Sequence, residues 1–383
     1  MKSQLLDSCP ALLLLACVVR ASASASDPLD TWYDRTTPTI SEELRAVAYA
    51  NGMFVAVGET GRVATSLDGV SWTPRDSGST RTLFDLTFAS GAWVAVGVGG
   101  RIYTSPDAVS WTRREAGTSA HLYGITWING LFLATGDSGK ILTSADGIDW
   151  TPRNVGTKDT VEKIAFGAGL FVAAGHPFGN FDGNLYSSPD AVTWTRSFHA
   201  EKSLFSDITF ANGLFVAVGH VGRFATSPDG INWTTGHTSQ VLTLQKIASG
   251  NGVFATAGEL ETLHTSSDGI NWQMRSPNKH QSLNGVAYGN KTFVIVGWAG
   301  TILQSDPQVA PTHEQIVLSS TSAAGGVLSF QFTGQVGKEY QIQSSSDLVH
   351  WHPLIAVTCT QPKMLIDDIP IEAPTRFYRV VEL

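Results

Sequence analysis

From Ala46 onward the apolar positions fall in short runs separated by polar turns. Ala46-Val47-Ala48-Tyr49 is followed by Asn51-Gly52 and then by Phe54-Val55-Ala56-Val57. An Asn-Gly pair between two apolar runs signals a tight β-hairpin. Gly58 to Gly61 reads as a loop, Val63 to Ser66 as a third strand, Leu67 to Ser71 as a turn and Trp72 to Arg75 as a fourth strand. Nothing in the unit has helical spacing. The pattern predicts four short antiparallel strands.

The unit then repeats. Its aspartates are Asp68, Asp107, Asp146, Asp190, Asp229 and Asp268, at spacings of 39, 39, 44, 39 and 39, and each is followed by a tryptophan: Trp72, Trp111, Trp150, Trp194, Trp233 and Trp272. A period near 40 fits a four-stranded blade. The Phe-Val-Ala-Val-Gly type of strand occurs seven times, at 54–58, 93–97, 132–136, 171–175, 215–219, 254–258 and 293–297. The seventh has no tryptophan strand after it, whereas Trp32-Tyr33-Asp34-Arg35 stands unmatched 40 residues before Trp72. Ring closure explains both: the first strand completes the last blade and leaves no open sheet edge. The expected fold is all-β, a seven-bladed β-propeller over 27–307 followed by a small β-sandwich over 312–383.

Composition and charge narrow the class. The 383 residues include 38 glycines, 10% aromatics and only 15% charged residues, unlike a coiled coil, a collagen or a disordered chain. A net charge of -8 gives no general attraction to nucleic acid or anionic lipid. Lys2, the apolar run Ala11 to Val19 and the Ala-x-Ala sites between Ala21 and Ser26 predict a signal peptide over 1–25, and hence a secreted or periplasmic protein. The run is shorter than the roughly 20 residues of a membrane-spanning helix. An alternative reading is a lipid anchor at Cys17. Losing the leader removes Cys9 and Cys17 and leaves Cys359, which excludes an intrachain disulfide framework and a cysteine zinc set.

The repeat resembles the Asp-box (BNR-like) propellers, which include sialidases, two-propeller xyloglucanases and the photosystem II assembly-factor type. The resemblance covers roughly residues 32 to 306 and rests on Ser66-x-Asp68-Gly69-x-x-Trp72 and its copies beginning at Ser105, Ser144, Ser188, Ser227 and Ser266. This is a shortened box, with one residue fewer between Asp and Gly, and alanine replaces glycine at Ala108 and Ala191. The six aspartates are expected to lock turns by accepting backbone N–H bonds, since catalytic sites do not recur identically around a ring. Sialidase chemistry is not expected: the family's Phe-Arg-Ile-Pro segment is missing, and Tyr123, expected near the channel mouth, has no evident glutamate partner. The C-terminal pieces Gly337-Lys338-Glu339-Tyr340, Ser346-Asp347-Leu348-x-x-Trp351 and Arg376-Phe377-Tyr378-Arg379-Val380 resemble appended sandwich modules of secreted bacterial proteins.

Candidate ligand-binding residues are those that break the repeat. After the repeat glycine stand Glu59, Val98, Asp137, His176, His220, Glu259 and Trp298, and at the start of the first strands Arg45, Asp85, Gly124, Lys163, Asp207, Lys246 and Gly285. Both sets are expected to ring the channel mouth, with ligand contact at Glu59, Asp137, His176, His220, Glu259 and Trp298. The fourth unit is five residues longer, and its Asn180, Asp182 and Asn184 alternate like the start of a calcium loop, although the downstream glutamate is missing and ordinary turn chemistry explains them as well. No cofactor is implied. The expected function is non-enzymatic binding of a protein or polysaccharide through this loop face. The rival is a carbohydrate-active enzyme, a glycoside hydrolase or lyase, drawing acid and base from Glu59, Asp137, Asp182, Asp207 and Glu259.

Overall fold

A computed structural model describes residues 27–308, 320–324, 327–333, 339–345, 352–360, 363–370 and 377–382. The expected leader, with Cys9 and Cys17, lies outside the described residues, as do Gly337, Lys338, Ser346, Asp347, Leu348, Trp351 and Arg376 of the C-terminal pieces. Chain contacts divide the protein into two units, one spanning Pro28–Gln308 and the other including Val309–Leu383.

The first unit is a ring of seven four-stranded antiparallel sheets. The first blade runs Leu44–Ala50, Met53–Gly58, Arg62–Ser66 and Thr73–Asp76. Its hairpin turn has Asn51 and Gly52 both left-handed, at φ of 51° and 74°, the geometry that matches the twist of paired strands. The last blade takes three strands from Leu283–Gly289, Thr292–Gly297 and Ile302–Ser305 and its outermost from Trp32–Asp34. Trp32 pairs with Ser305, Tyr33 with Gln304 and Asp34 with Leu303. The expected closure of the ring by the first strand is present.

The core lies between neighbouring blades. One cluster joins Phe54, Ala56, Ala64 and Trp72 of the first blade to Val294, Val296 and Ile302 of the seventh, and another sets Val55, Val57 and Val63 against Trp93, Ala95 and Tyr103 of the second. Each fully buried ring or branched chain contributes about 1.5–3 kcal/mol relative to exposure. The tryptophan after each aspartate therefore serves packing: Trp72 fills the joint with the seventh blade while its Nε1 donates to Gly69 O at 3.0 Å.

The turn before that tryptophan is built the same way six times. In the third blade Asp146 Oδ1 accepts from Ile148 N at 2.8 Å, Asp149 N at 3.1 Å and Ser144 Oγ at 3.0 Å, and Ser144 Oγ accepts from Gly147 N at 2.8 Å. Asp68, Asp107, Asp190, Asp229 and Asp268 accept the equivalent pair of N–H groups. These backbone N–H bonds hold the Asp146 carboxyl below its ordinary pKa.

The second unit contains two three-stranded sheets. Ser320–Ala324, Val327–Thr333 and Lys363–Pro370 form one; His352–Thr358, Glu339–Ser345 and Phe377–Glu382 form the other. Tyr340, Ile342, Cys359 and Val380 are buried.

Candidate functional site

Antiparallel blades place the Asn-Gly and Ser-x-Asp turns on one face of the ring. The turns between second and third strands, with the blade-to-blade connections, lie on the other. Here the repeat glycine has a mechanical role. A Cβ on Gly58 would sit 2.0 Å from Glu43 O, so the strand end can press on the preceding connection only without one. The next N–H then bonds that same carbonyl, Glu59 N to Glu43 O at 2.9 Å. The same bond recurs at Val98, Asp137, His220, Glu259 and Trp298. It fixes the backbone while leaving the side chain free to vary. After it the chain turns through a left-handed non-glycine residue in five blades: Thr60, Ser138, Val221, Leu260 and Ala299.

The inner strands hold a second variable set, and its alignment differs from the sequence reading. Each strand carries a one-residue bulge: Leu44 pairs with Gly58 and Ala46 with Val57, leaving Arg45 unpaired between them. The equivalent bulged residues are Phe84, Tyr123, Glu162, Ser206, Gln245 and Asn284. Arg45 therefore belongs with Phe84 and Tyr123, and the counterpart of Asp85 is Ala46. Seven bulged residues, with His220, Glu259, Leu204, Thr243 and Lys246, line a mouth cavity of about 350 Å³. Asp85, Lys163, Asp207 and Lys246 lie one residue deeper, in the walls of a channel of about 590 Å³.

The deep charges are largely structural. Asp85 accepts from Leu86 N at 2.9 Å and from Ile125 N of the next blade at 2.9 Å, and pairs with Lys163. Asp207 likewise accepts from Ile208 N at 2.9 Å and from Ile247 N of the next blade at 3.0 Å. Burial pushes the Asp207 carboxyl up, against the pull of Lys246 and Lys163. Such a carboxylate is a clasp between inner strands rather than an acid facing substrate.

At the mouth, most groups on the first four blades pair with one another, although Arg45 Nε is buried without a partner among the described residues. Arg45 lies 3.2 Å from Glu43 and 3.3 Å from Glu59. Asp137 accepts from His121 N at 3.0 Å, and His176 Nε2 lies 3.1 Å from Glu162 Oε1. Burial works against the charge of His176, yet Glu162 outweighs it and raises the imidazole pKa. Tyr123 stacks on Phe84 with ring centroids 5.2 Å apart. Contrary to the sequence reading, adjacent bulges bring the carboxylate of Glu162 near Tyr123. Burial first, then the charges of Asp137 and Glu162, push the phenol well above its ordinary pKa, the opposite of an activated nucleophile.

The fifth to seventh blades differ. Ser206, His220, Gln245 and Glu259 have no side-chain hydrogen-bond partner among the described residues, and Trp298 is 48% exposed. Phe181 of the fourth blade's longer loop stacks on His220 at 5.4 Å, and beside it Phe178 is 90% exposed. Val221 and Leu260, in the turns, are exposed as well. Asn180, Asp182 and Asn184 do not act together as cation ligands here. Asn180 Nδ2 donates to Asp182 at 2.8 Å, while Asn184 is buried and turned to Asp159 at 2.6 Å and His199 at 2.9 Å.

The six candidates thus divide. His220 and Glu259 line the mouth cavity, with Trp298 on the turn of the next blade; Glu59, Asp137 and His176 are engaged by neighbours. Sequence reasoning missed Phe84, Glu162, Ser206, Gln245 and Asn284. Their signal was a freely varying residue after the buried Leu44, Leu83, Leu122, Val161, Phe205, Leu244 and Leu283.

No family model and no curated protein matches the chain. Solved structures do match. YCF48 bound to a D1 peptide is 17% identical with a TM-score of 0.60, covering 76% of this chain and 99% of that one. The WD40 β-propeller domain of Doa1 is 14% identical with a TM-score of 0.58, covering 72% and 96%. A catalytically inactive virginiamycin B lyase from Staphylococcus aureus with quinupristin is 12% identical with a TM-score of 0.62, covering 72% and 98%. At these identities the likeness is one of fold.

Proposed function

We propose that this propeller is an exported, non-enzymatic binding protein that holds an extended segment of a partner protein across the mouth face. The observation that carries the reading is the arrangement on the fifth to seventh blades together with the fourth blade's longer loop. An apolar rim of Phe178, Phe181, Val221, Leu260 and Trp298 adjoins Ser206, His220, Gln245 and Glu259, whose polar groups lack partners. Exposed apolar residues suit side-chain anchors, and unpartnered donors and acceptors suit a peptide backbone. The peptide on YCF48 supports this by analogy of fold. Against catalysis, four of the five candidate acid–base carboxylates have other partners: Glu59 on Arg45, Asp137 on His121 N, Asp207 on two backbone N–H groups, and Asp182 on Lys202 N at 2.8 Å. The same reading groups the chain with the Asp-box propellers, on the strength of its six Ser-x-Asp turns. Export rests on the leader at 1–25.

The test is to probe peptide and glycan arrays with the mature chain, then to titrate captured peptides against Trp298→Ala and Leu260→Ser. Each substitution is expected to weaken binding by about tenfold or more with an unchanged melting temperature. Capture of glycans without peptides, or contacts mapped to the Ser-x-Asp face, overturns the reading.

A further inference from the structure

The mouth cavity carries a chemical preference that neither the fold nor the apolar rim dictates. Asn284 lines it and is 3% exposed. Its Nδ2 donates to Glu43 Oε1 at 2.7 Å and to Leu44 O at 3.0 Å, which fixes the amide orientation. Its Oδ1 is left as a buried acceptor with no partner among the described residues. A buried acceptor without a donor is costly, and the residue that carries it lines the cavity. Glu259, in the same wall, is an acceptor with no hydrogen bond or ion pair among the described residues.

Charge points the same way. Arg45 lies between two carboxylates, Glu43 and Glu59, which leaves that group net negative. Glu162 is matched by His176, Asp85 by Lys163, and Lys246 by the nearby charge of Asp207. Glu259 has no ion-pair partner among the described residues. The stacked faces of Phe84 and Tyr123 complete the wall, and aromatic faces attract cations. Lys246 lines both the mouth and the channel.

We infer that the mouth cavity takes a cationic nitrogen, an ammonium or guanidinium group of the bound segment, with Glu259 and Asn284 Oδ1 accepting its hydrogens beside the Phe84–Tyr123 pair. This rests on the segment-binding reading and names the residue that anchors it. The group comes from a lysine or arginine side chain, or from a free N-terminus.

The cavity is tested on the unaltered protein with small probes. n-Butylammonium and n-butylguanidinium are titrated into isotope-labelled protein, with n-butanol as neutral control, while the Asn284 side-chain amide and the Glu259 carboxyl are followed by NMR. Saturable shifts at both residues with the cations, weakened by added salt and not seen with butanol, are expected. In Glu259→Gln the cation affinity is expected to fall about tenfold. Equal responses to butanol, or no response at either residue, overturn the inference. Peptide arms separate the sources: lysine→norleucine and arginine→citrulline replacements in N-acetylated peptides lose affinity if a side chain enters, and N-acetylation abolishes it if the terminus does. Capture of peptides indifferent to all these changes defeats the cation site while leaving segment binding in place. Cation binding at Asn284 without peptide capture supports the site and defeats segment binding.

Discussion

His264 shows how much one residue can depart from the repeat that contains it. The matching positions of the other third strands are Ala64, Tyr103, Leu142, Tyr186, Ala225 and Leu303, which bring at most a phenol. His264 is fully buried, its Nδ1 has no partner, and its Nε2 lies 3.5 Å from Ser239 Oγ. Burial disfavours the imidazolium and pushes the pKa down from 6.5 to about 4. Above pH 6.5 the ring is neutral in folded and unfolded chains and contributes no pH dependence. As the pH falls from 6.5 toward 4 the unfolded chain takes up the proton first, so stability falls by on the order of 3 kcal/mol and then levels. Denaturant unfolding at a series of pH values checks this. His264→Leu, the choice of two sister blades, is expected to flatten that part of the profile, and a profile identical to the parent's refutes the assignment. Repetition in the sequence exposed the departures, at Glu259 and Trp298 as at His264. Which of them had partners was hidden, because partners come from neighbouring blades: Asn284 meets Glu43 across 241 positions.

At the scale of elements, the Ser-x-Asp turn was legible because all its bonds are local. Asp146 and its donors lie within six consecutive residues, Ser144 to Asp149. Asp146→Ala removes the acceptor for two backbone N–H groups in an exposed turn and is expected to cost about 0.5–2 kcal/mol, in line with the loss of a capping side chain. Peptide binding at the opposite face should be unaffected. Lost binding at unchanged stability would reverse the role given to this residue. The bulge in each inner strand was not legible. It lies beside the close approach of Gly58 to Glu43 O, between segments that the one-dimensional pattern keeps apart, and a single extra residue exchanges the two sides of a strand. Aligning Arg45 with Asp85 followed from reading the strand as regular. That one step moved the mouth residues Phe84, Glu162, Ser206, Gln245 and Asn284 out of view while leaving the deeper Lys163, Asp207 and Lys246 in it.

For the whole ring, the decisive contacts join residues 28–43 to the last two blades. Trp32, Tyr33 and Asp34 supply the fourth strand of the seventh sheet. Leu29 is buried with Leu263, Leu283 and Leu303, and Asp30 pairs with Arg275 of the sixth blade. Arg35 Nε donates to Gln304 Oε1 at 3.0 Å, and Gln304 Nε2 donates to Asp68 O of the first blade at 2.9 Å, so one amide ties both ends of the ring together. This closure was visible in the sequence as two mismatched counts, one surplus strand at the start and one missing at the end. Its consequence is that the ring's stability depends on a terminal segment. Deleting 28–36 removes Leu29 and Trp32 from the core and exposes the edge Ile302–Ser305. Loss of the buried leucine alone costs about 2–5 kcal/mol, which in a ring of this size corresponds to a fall in melting temperature of about 3–8 °C. The bare edge is also expected to promote association, read as earlier elution in size-exclusion chromatography. A deleted chain that melts and elutes with the parent would mean that the seventh blade stands on three strands, and that residues 28–36 decorate the ring without closing it.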